Sequence, residues 1–145
     1  MYTFGSATKE EFPILLEIWE ASVRATHHFL AEEDLLLFKS IIKEKELFAH
    51  VLLTVVRDVQ GQILGFMGVA DGNLEMLFLH PDAAGKGLGK LLTQLAIREQ
   101  NVTKVDVNEQ NKAAHAFYEH MGFKVVSRSA LDGMGKPYPI LNMQL

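Results

Sequence analysis

The stretch Leu74–Leu92, L-E-M-L-F-L-H-P-D-A-A-G-K-G-L-G-K-L-L, constrains the fold more than any other part of the chain. The apolar run from Leu74 to Leu79 has the length of a buried strand, and Pro81 and Asp82 stop it. Gly85, Gly87 and Gly89 then lead into a segment with helical spacing. A strand, a tight glycine loop and a helix N-terminus therefore follow one another directly. Such a junction leaves backbone N–H groups without helical partners and turns the positive end of a helix dipole outward, a setting that suits a phosphate or pyrophosphate. Two common nucleotide motifs are excluded by spacing. A Walker loop needs Ser or Thr after Gly-Lys, whereas Leu91 follows Gly89-Lys90, and glycines spaced evenly by two do not make G-x-G-x-x-G.

On the N-terminal side, Met1–Phe4 suits a short strand, and Ser6 or Thr8 can cap the helix that follows. Phe12, Leu15, Leu16, Trp19 and Val23 step by three and four onto one helical face, with Pro13 harmless in the first turn. A break is expected across Arg24–Leu30, and a second helix from about Glu32 to Glu46. The period then changes. H-V-L-L-T-V-V-R from His50 and Ile63–Ala70 read as strands joined to the Leu74 run by short turns, which makes an antiparallel meander. Beyond the glycine loop the spacing predicts a helix through Leu88, Leu91, Leu92, Leu95 and Ala96, a strand over Val102–Val107 and a helix over Asn111–Met121 closed by Gly122. Strands at Phe123–Arg128 and Ile140–Leu145 flank the turn-rich D-G-M-G-K-P-Y-P. Helices interrupting a mostly antiparallel sheet make a mixed α/β domain of α+β type, and one domain is expected over residues 1–145.

Composition narrows the function by exclusion. A net charge of -4 without basic clusters leaves no footprint for nucleic acid or an acidic membrane surface. With no cysteine there is no disulfide, thiolate zinc site or cysteine nucleophile. No apolar run approaches the roughly 18 to 20 residues of a membrane helix, and Met1–Lys9 does not read as a signal peptide, so a cytoplasmic protein is expected. His27 and His28 do not suggest a metal site, because neighbouring side chains on a helix point about 100° apart.

A second feature gives the loop its meaning. About thirty residues beyond it stand V-N-E-Q-N and F-Y-E-H-M-G-F, and Leu79–Leu92 with Asn108–Phe123 resembles the acetyl-CoA-binding core of the GNAT superfamily of acyltransferases. The strand order above matches that fold, a mixed sheet splayed at strands 4 and 5 with flanking helices. V-N-E-Q-N, F-Y-x-x-x-G-F and G-K-P-Y-P look closest to the YjaB-like bacterial acetyltransferases. The resemblance implies an acetyl-CoA-dependent N-acetyltransferase that moves the acetyl group directly to a primary amine of a small molecule or peptide. A weakly active or inactive CoA-binding module of the same fold and a protein-modifying acetyltransferase are the alternatives, and a monomer or homodimer is expected.

The same resemblance assigns residues. Backbone N–H groups of Gly85, Lys86, Gly87, Leu88, Gly89 and Lys90 hold the pyrophosphate, and Leu77, Phe78 and Leu79 offer a strand edge to the pantetheine amides. Asn108 and Asn111 bond the pantetheine or adenosine portion. Tyr118 lies near the CoA sulfur, where a phenol can donate a proton as thiolate charge develops. An amine of pKa near 10.4 must also lose a proton, and Glu75 is the base suggested by resemblance, with Asp106 second. Trp19, Thr26, His27 and Phe29 are expected to line the acceptor pocket, with Asp106 facing the same cleft. The chain departs from the family pattern at Ala84, where Gln or Arg usually precedes the first glycine, and at His80, usually apolar. Weaker cofactor affinity, offset in part by Lys86 or Lys90, is the expected consequence.

Overall fold

The structure, a computed structural model, describes residues 1–145. Its elements are β1 (Thr3–Gly5), α1 (Phe12–Thr26), α2 (Glu32–Glu44), β2 (Leu52–Arg57), β3 (Ile63–Ala70), β4 (Asn73–Leu79), α3 (Leu88–Glu99), β5 (Lys104–Asn108), α4 (Lys112–His120), β6 (Lys124–Ser129) and β7 (Ile140–Gln144). The seven strands make one sheet in the order β1-β2-β3-β4-β5-β7-β6, antiparallel throughout except between β4 and β5. The expected meander is β2-β3-β4. No helix is long and apolar enough to cross a membrane.

Two apolar clusters sandwich this sheet. Leu15, Ile18, Trp19 and Val23 of α1 and Leu35 and Ile42 of α2 pack on Val55 and Phe66. Leu88, Leu92 and Ala96 of α3 and Tyr118 of α4 pack with Val56, Met67, Val105 and Met143 on the opposite face. Covered on both sides, β3 is buried along nearly its whole length, which is why I-L-G-F-M-G-V-A is apolar at consecutive positions and does not alternate. β6 is exposed at every residue, as befits an edge strand.

Several boundaries differ from the sequence reading, and each has a local cause. α1 continues through Thr26 into the expected break, because Arg24 bonds Glu20 one turn back and the Thr26 hydroxyl donates to the Ser22 carbonyl. Leu47–His50 forms a 3-10 turn, so β2 starts at Leu52 and not at His50. β5 starts at Lys104, because the Thr103 and Lys104 amides both bond the Gly72 carbonyl and Val102 still closes the end of α3 through its bond to Ala96. Of the two capping candidates, Thr8 is used: Glu11 bonds its amide at 2.9 Å and also takes both Arg57 nitrogens, tying the start of α1 to the end of β2. That ion pair holds the Glu11 carboxyl down at about 2.

The feature that positions the site lies in β4. Met76 stands opposite Gly68 and Leu74 opposite Val69, so Glu75 is an extra residue, a β-bulge. β4 pairs with β5 only at Asn73↔Lys104 and Leu74↔Val105, just before the bulge. From there the two strands part. Leu74 is buried, but Met76–Leu79 are only half-buried, so the run is not the fully buried strand its apolarity suggests; one edge of it opens on a cleft.

β3 holds the parted segment from its other side. A Cβ on Gly65 would lie 2.8 Å from the Phe78 carbonyl oxygen and 3.2 Å from Leu79 Cα, both backbone atoms that cannot swing away. Gly65→Ala is therefore expected to cost about 1–3 kcal/mol in urea unfolding and to lower CoA affinity, because it displaces the cleft edge of β4. Unchanged stability and CoA binding in that variant would show that β4 tolerates displacement.

Candidate active site

The cleft beside the parted end of β4, facing α4, has a volume of about 660 Å³. Leu77–Leu79 form one wall, Ala113, Ala114, Phe117 and Tyr118 of α4 the other, and Gly85, Gly87, Gly89 and Lys90 close one end. Ser22, Ala25 and Thr26 of α1 reach it at a spacing of three and four, so small residues on one helical face make room for a ligand. The apolar stripe of α1 dominated the sequence pattern and hid this second face.

At the loop end the chain prepares an anion site from its backbone. His80 Nδ1 accepts the Asp82 amide at 3.1 Å and Ala83 is buried, which fixes the turn after β4. Gly85 and Gly87 then take φ of +77° and +75°, a region costly for a residue with a Cβ. The first backbone bond of α3 runs from Leu91 to the Gly87 carbonyl, and none of the amides from Gly85 to Lys90 finds a protein acceptor. A run of free amides at a helix N-terminus fits a pyrophosphate, while the unpaired edge of β4 at Leu77–Leu79 fits the amides of a pantetheine arm. The group suits the cleft at both of its ends.

The other predicted residues separate into three places. Tyr118 lines the cleft with its ring edge-on to Phe117 and Phe123, at centroid distances of 5.2 and 5.8 Å, and its hydroxyl makes no bond within the protein. It is only 8 % exposed, and burial pushes the phenol well above its ordinary value, so the group stays protonated. Asn111 lines the cleft but also caps α4, accepting the Ala114 amide at 3.2 Å. Lys90 lines the cleft, whereas Lys86 lies on the side of the loop toward α1, beside Glu17 and His80. Ala84 lines the cleft and adds no polar group to it.

A second chamber of about 240 Å³ adjoins the cleft. Trp19, His27, Phe29, Phe38 and Phe78 line it together with Asn108 and, from the loop between β6 and β7, Asp132 and Tyr138. Asn108 thus lies with the predicted acceptor residues and is not among the cleft-lining ones. His27 and Phe78 belong to both walls and form the partition between the two spaces. Glu75 and Asp106 occupy a third, polar groove with Asn73, Lys104 and Asn142, outside cleft and chamber alike. Partial burial draws the Asp106 carboxyl upward, against the pull of Lys104.

Sequence reasoning did not find the clamp that closes the chamber. Tyr138 donates its hydroxyl proton to Asp34 of α2 and accepts the Ala31 amide at 3.1 Å, and Lys136 Nζ lies 2.9 Å from the other Asp34 oxygen. Asp34 is buried, and these partners hold its carboxyl below the ordinary range. The available signal was the G-K-P-Y-P motif, whose Lys and Tyr are the two residues used.

Comparison with known proteins fits this geometry. The family model described as an acetyltransferase (GNAT) domain matches residues 26–135. The chain belongs to the GNAT acetyltransferase family. It is 38% identical over 143 residues to the peptidyl-lysine N-acetyltransferase YjaB of Salmonella typhimurium, covering 99% of this chain and 97% of that protein. It is 37% identical to YjaB of Escherichia coli, covering 92% of this chain and 90% of that one. The solution structure of apo-form YjaB from Escherichia coli superposes with a TM-score of 0.87 at 34% identity over 99% and 97% of the two chains. The PaiA N-acetyltransferase of Thermoplasma acidophilum, solved with coenzyme A, shares the fold with a TM-score of 0.76 at 20% identity over 100% and 99%. This GNAT chain is accordingly an N-acetyltransferase, with acetyl-CoA as its cofactor.

His27 gives the site a measurable pH signature. Burial, helped by the neighbouring His28, lowers its imidazole to about 4. The other ionisable groups around it are Asp132 and Tyr138 across the chamber and Lys90 and Tyr118 in the cleft. As pH falls from about 6.5 toward 4, the unfolded chain takes up a proton that folded His27 refuses, so this residue destabilises the fold progressively in that window. His27→Gln should therefore gain about 2 kcal/mol on the wild type between pH 7 and pH 4.5 in urea titrations. A constant difference across that range would place His27 at its ordinary pKa.

Proposed function

We propose that the acceptor is a primary amine carried on an unbranched aliphatic stem, as in the lysine side chain of a peptide, and that transfer is direct. The observation that carries this reading is the narrow, largely aromatic chamber opening on the cleft at His27 and Phe78. A lysyl stem has the length and apolarity to lie along Trp19, Phe29 and Phe38 and bring its nitrogen to that partition. The YjaB relatives carry the name peptidyl-lysine N-acetyltransferase, which supports the same acceptor class. Both spaces are lined by one copy of the chain, so the reading takes residues 1–145 as one catalytic domain, active as monomer or homodimer in the cytoplasm.

In this reading the amides from Gly85 to Lys90 hold the pyrophosphate, with Asn111 beside the pantetheine arm. The Leu77–Leu79 edge orients that arm so that the thioester faces Tyr118. Bound there, acetyl-CoA supplies an activated acetyl group and a thiol leaving group. Tyr118, kept protonated by burial, donates to the departing sulfur. Ala84 favours a second reading, a low-affinity CoA-binding module without turnover; CoA-dependent thermal stabilisation with no transfer to any amine would select it.

Two measurements test the leading reading. An acceptor panel should show a lysine-containing peptide acetylated at the side chain, with free unbranched diamines slower and α-branched amines poor. Tyr118→Phe should lower kcat by about 10²-fold while leaving the CoA-dependent thermal shift intact. Full activity in that variant would remove Tyr118 from the mechanism, and a preference for branched amines would remove the stem from the acceptor.

A further inference from the structure

The acceptor reading leaves one proton without a destination, because Glu75 and Asp106 lie in the groove outside both spaces. The partition between the spaces holds a nitrogen base instead. The Thr26 hydroxyl donates its single proton to the Ser22 carbonyl at 2.8 Å and lies 2.7 Å from His27 Nδ1. With that proton on Ser22 the oxygen accepts, and in this arrangement Nδ1 carries the imidazole hydrogen. The lone pair then resides on Nε2, which makes no hydrogen bond within the protein. His27 is packed against Phe29 at a centroid distance of 5.3 Å and borders both the acceptor chamber and the donor cleft. Across the chamber, Tyr138 is spent on Asp34, and Asp132 Oδ1 accepts the Met134 and Lys136 amides of its own loop.

Resting on the acceptor reading above, we propose that His27 is the catalytic base of this enzyme, taking the acceptor amine's proton on Nε2, and that Thr26 is the positioning residue that fixes its tautomer. The ammonium sheds one proton to solvent before it enters the apolar chamber. As the nitrogen bonds the acetyl carbon its charge becomes positive, and one N–H proton passes to Nε2. The carbon–sulfur bond breaks with its electron pair on sulfur, and Tyr118 protonates that sulfur. His27 returns its proton to solvent, from which Tyr118 is restored. The balance is one ammonium and one thioester converted to one amide, one thiol and one released proton. Burial keeps the imidazole neutral throughout the working range, so Nε2 is unprotonated when the amine arrives and does not repel it, at the cost of a weaker base.

Three linked measurements decide the matter. Imidazole nitrogen chemical shifts of the CoA-free protein should show His27 protonated at Nδ1 and bare at Nε2; the opposite tautomer would overturn the proposal without any assay. His27→Asn keeps a donor near the Nδ1 position and removes Nε2. It should lower kcat by about 10²-fold or more on whichever amine the wild type accepts, with the CoA-dependent thermal shift retained. Retention of kcat within about threefold would sink the idea. His27→Ala should regain activity with added imidazole in proportion to its free base, and failure of that rescue in a variant that still binds CoA would also count against it. Thr26→Val should lower kcat and disturb the nitrogen shifts, while Thr26→Ser restores both. The identity of the amine is read from the wild type and the role of His27 from the ratio of variant to wild type, so either reading can fail alone.

Discussion

Everything in this molecule that resembles a site depends on β4 and β5 ceasing to pair after two residues. A sheet closes its interior polar groups by hydrogen bonding, and an unpaired strand edge inside a domain is costly unless something occupies it. Here the bulge at Glu75 turns β4 away while β5 continues its pairing with β7 through Asn108. The result is a wedge with unsatisfied backbone on the β4 side. That wedge is stable because β3 grips β4 from behind, with Gly65 leaving out the side chain that would push the Phe78–Leu79 backbone away. The opening is thus held by packing on one edge and by the absence of packing on the other.

The loop end of the cleft was legible in the sequence because it is built from backbone. Pro81, the glycines at 85, 87 and 89, and the cap at Asn111 each answer a conformational demand, and such demands leave a fixed mark on residue type. The meander and both central helices were legible for a related reason, since apolar periodicity follows burial directly. β4 shows where that logic stops. Its apolar residues face a ligand cleft as well as a core, and apolarity alone does not tell a buried face from a face that a cofactor covers.

The acceptor side was much less legible. Trp19, His27 and Phe29 were within reach of the resemblance, but the wall opposite them is made by Asp132 and Tyr138 from a loop more than a hundred residues away. That loop is placed by Asp34, a buried carboxylate that sequence pattern assigns to the solvated start of a helix. Nothing local in E-E-D-L marks one acid of the three for burial; the choice is made by the partner. Glu75 illustrates the converse. The resemblance put it near the chemistry, and as the bulged residue of β4 it lines the polar groove instead.

The two groups on either side of the proposed transfer share one physical cause. Burial raises the Tyr118 phenol and lowers the His27 imidazole, so each is driven to its neutral form. In water an imidazole is partly protonated near neutrality while a phenol is not; here burial keeps both neutral before the amine arrives. On the proposed transfer a neutral acid and a neutral base then face a neutral amine and a thioester. On that proposal charge separation is confined to the moment of bond exchange. The acidic net charge of the chain does not reach this interior. What sets the protonation of the site is the depth at which α1 and α4 bury these two rings, and that depth follows from the parting of β4 and β5 between them.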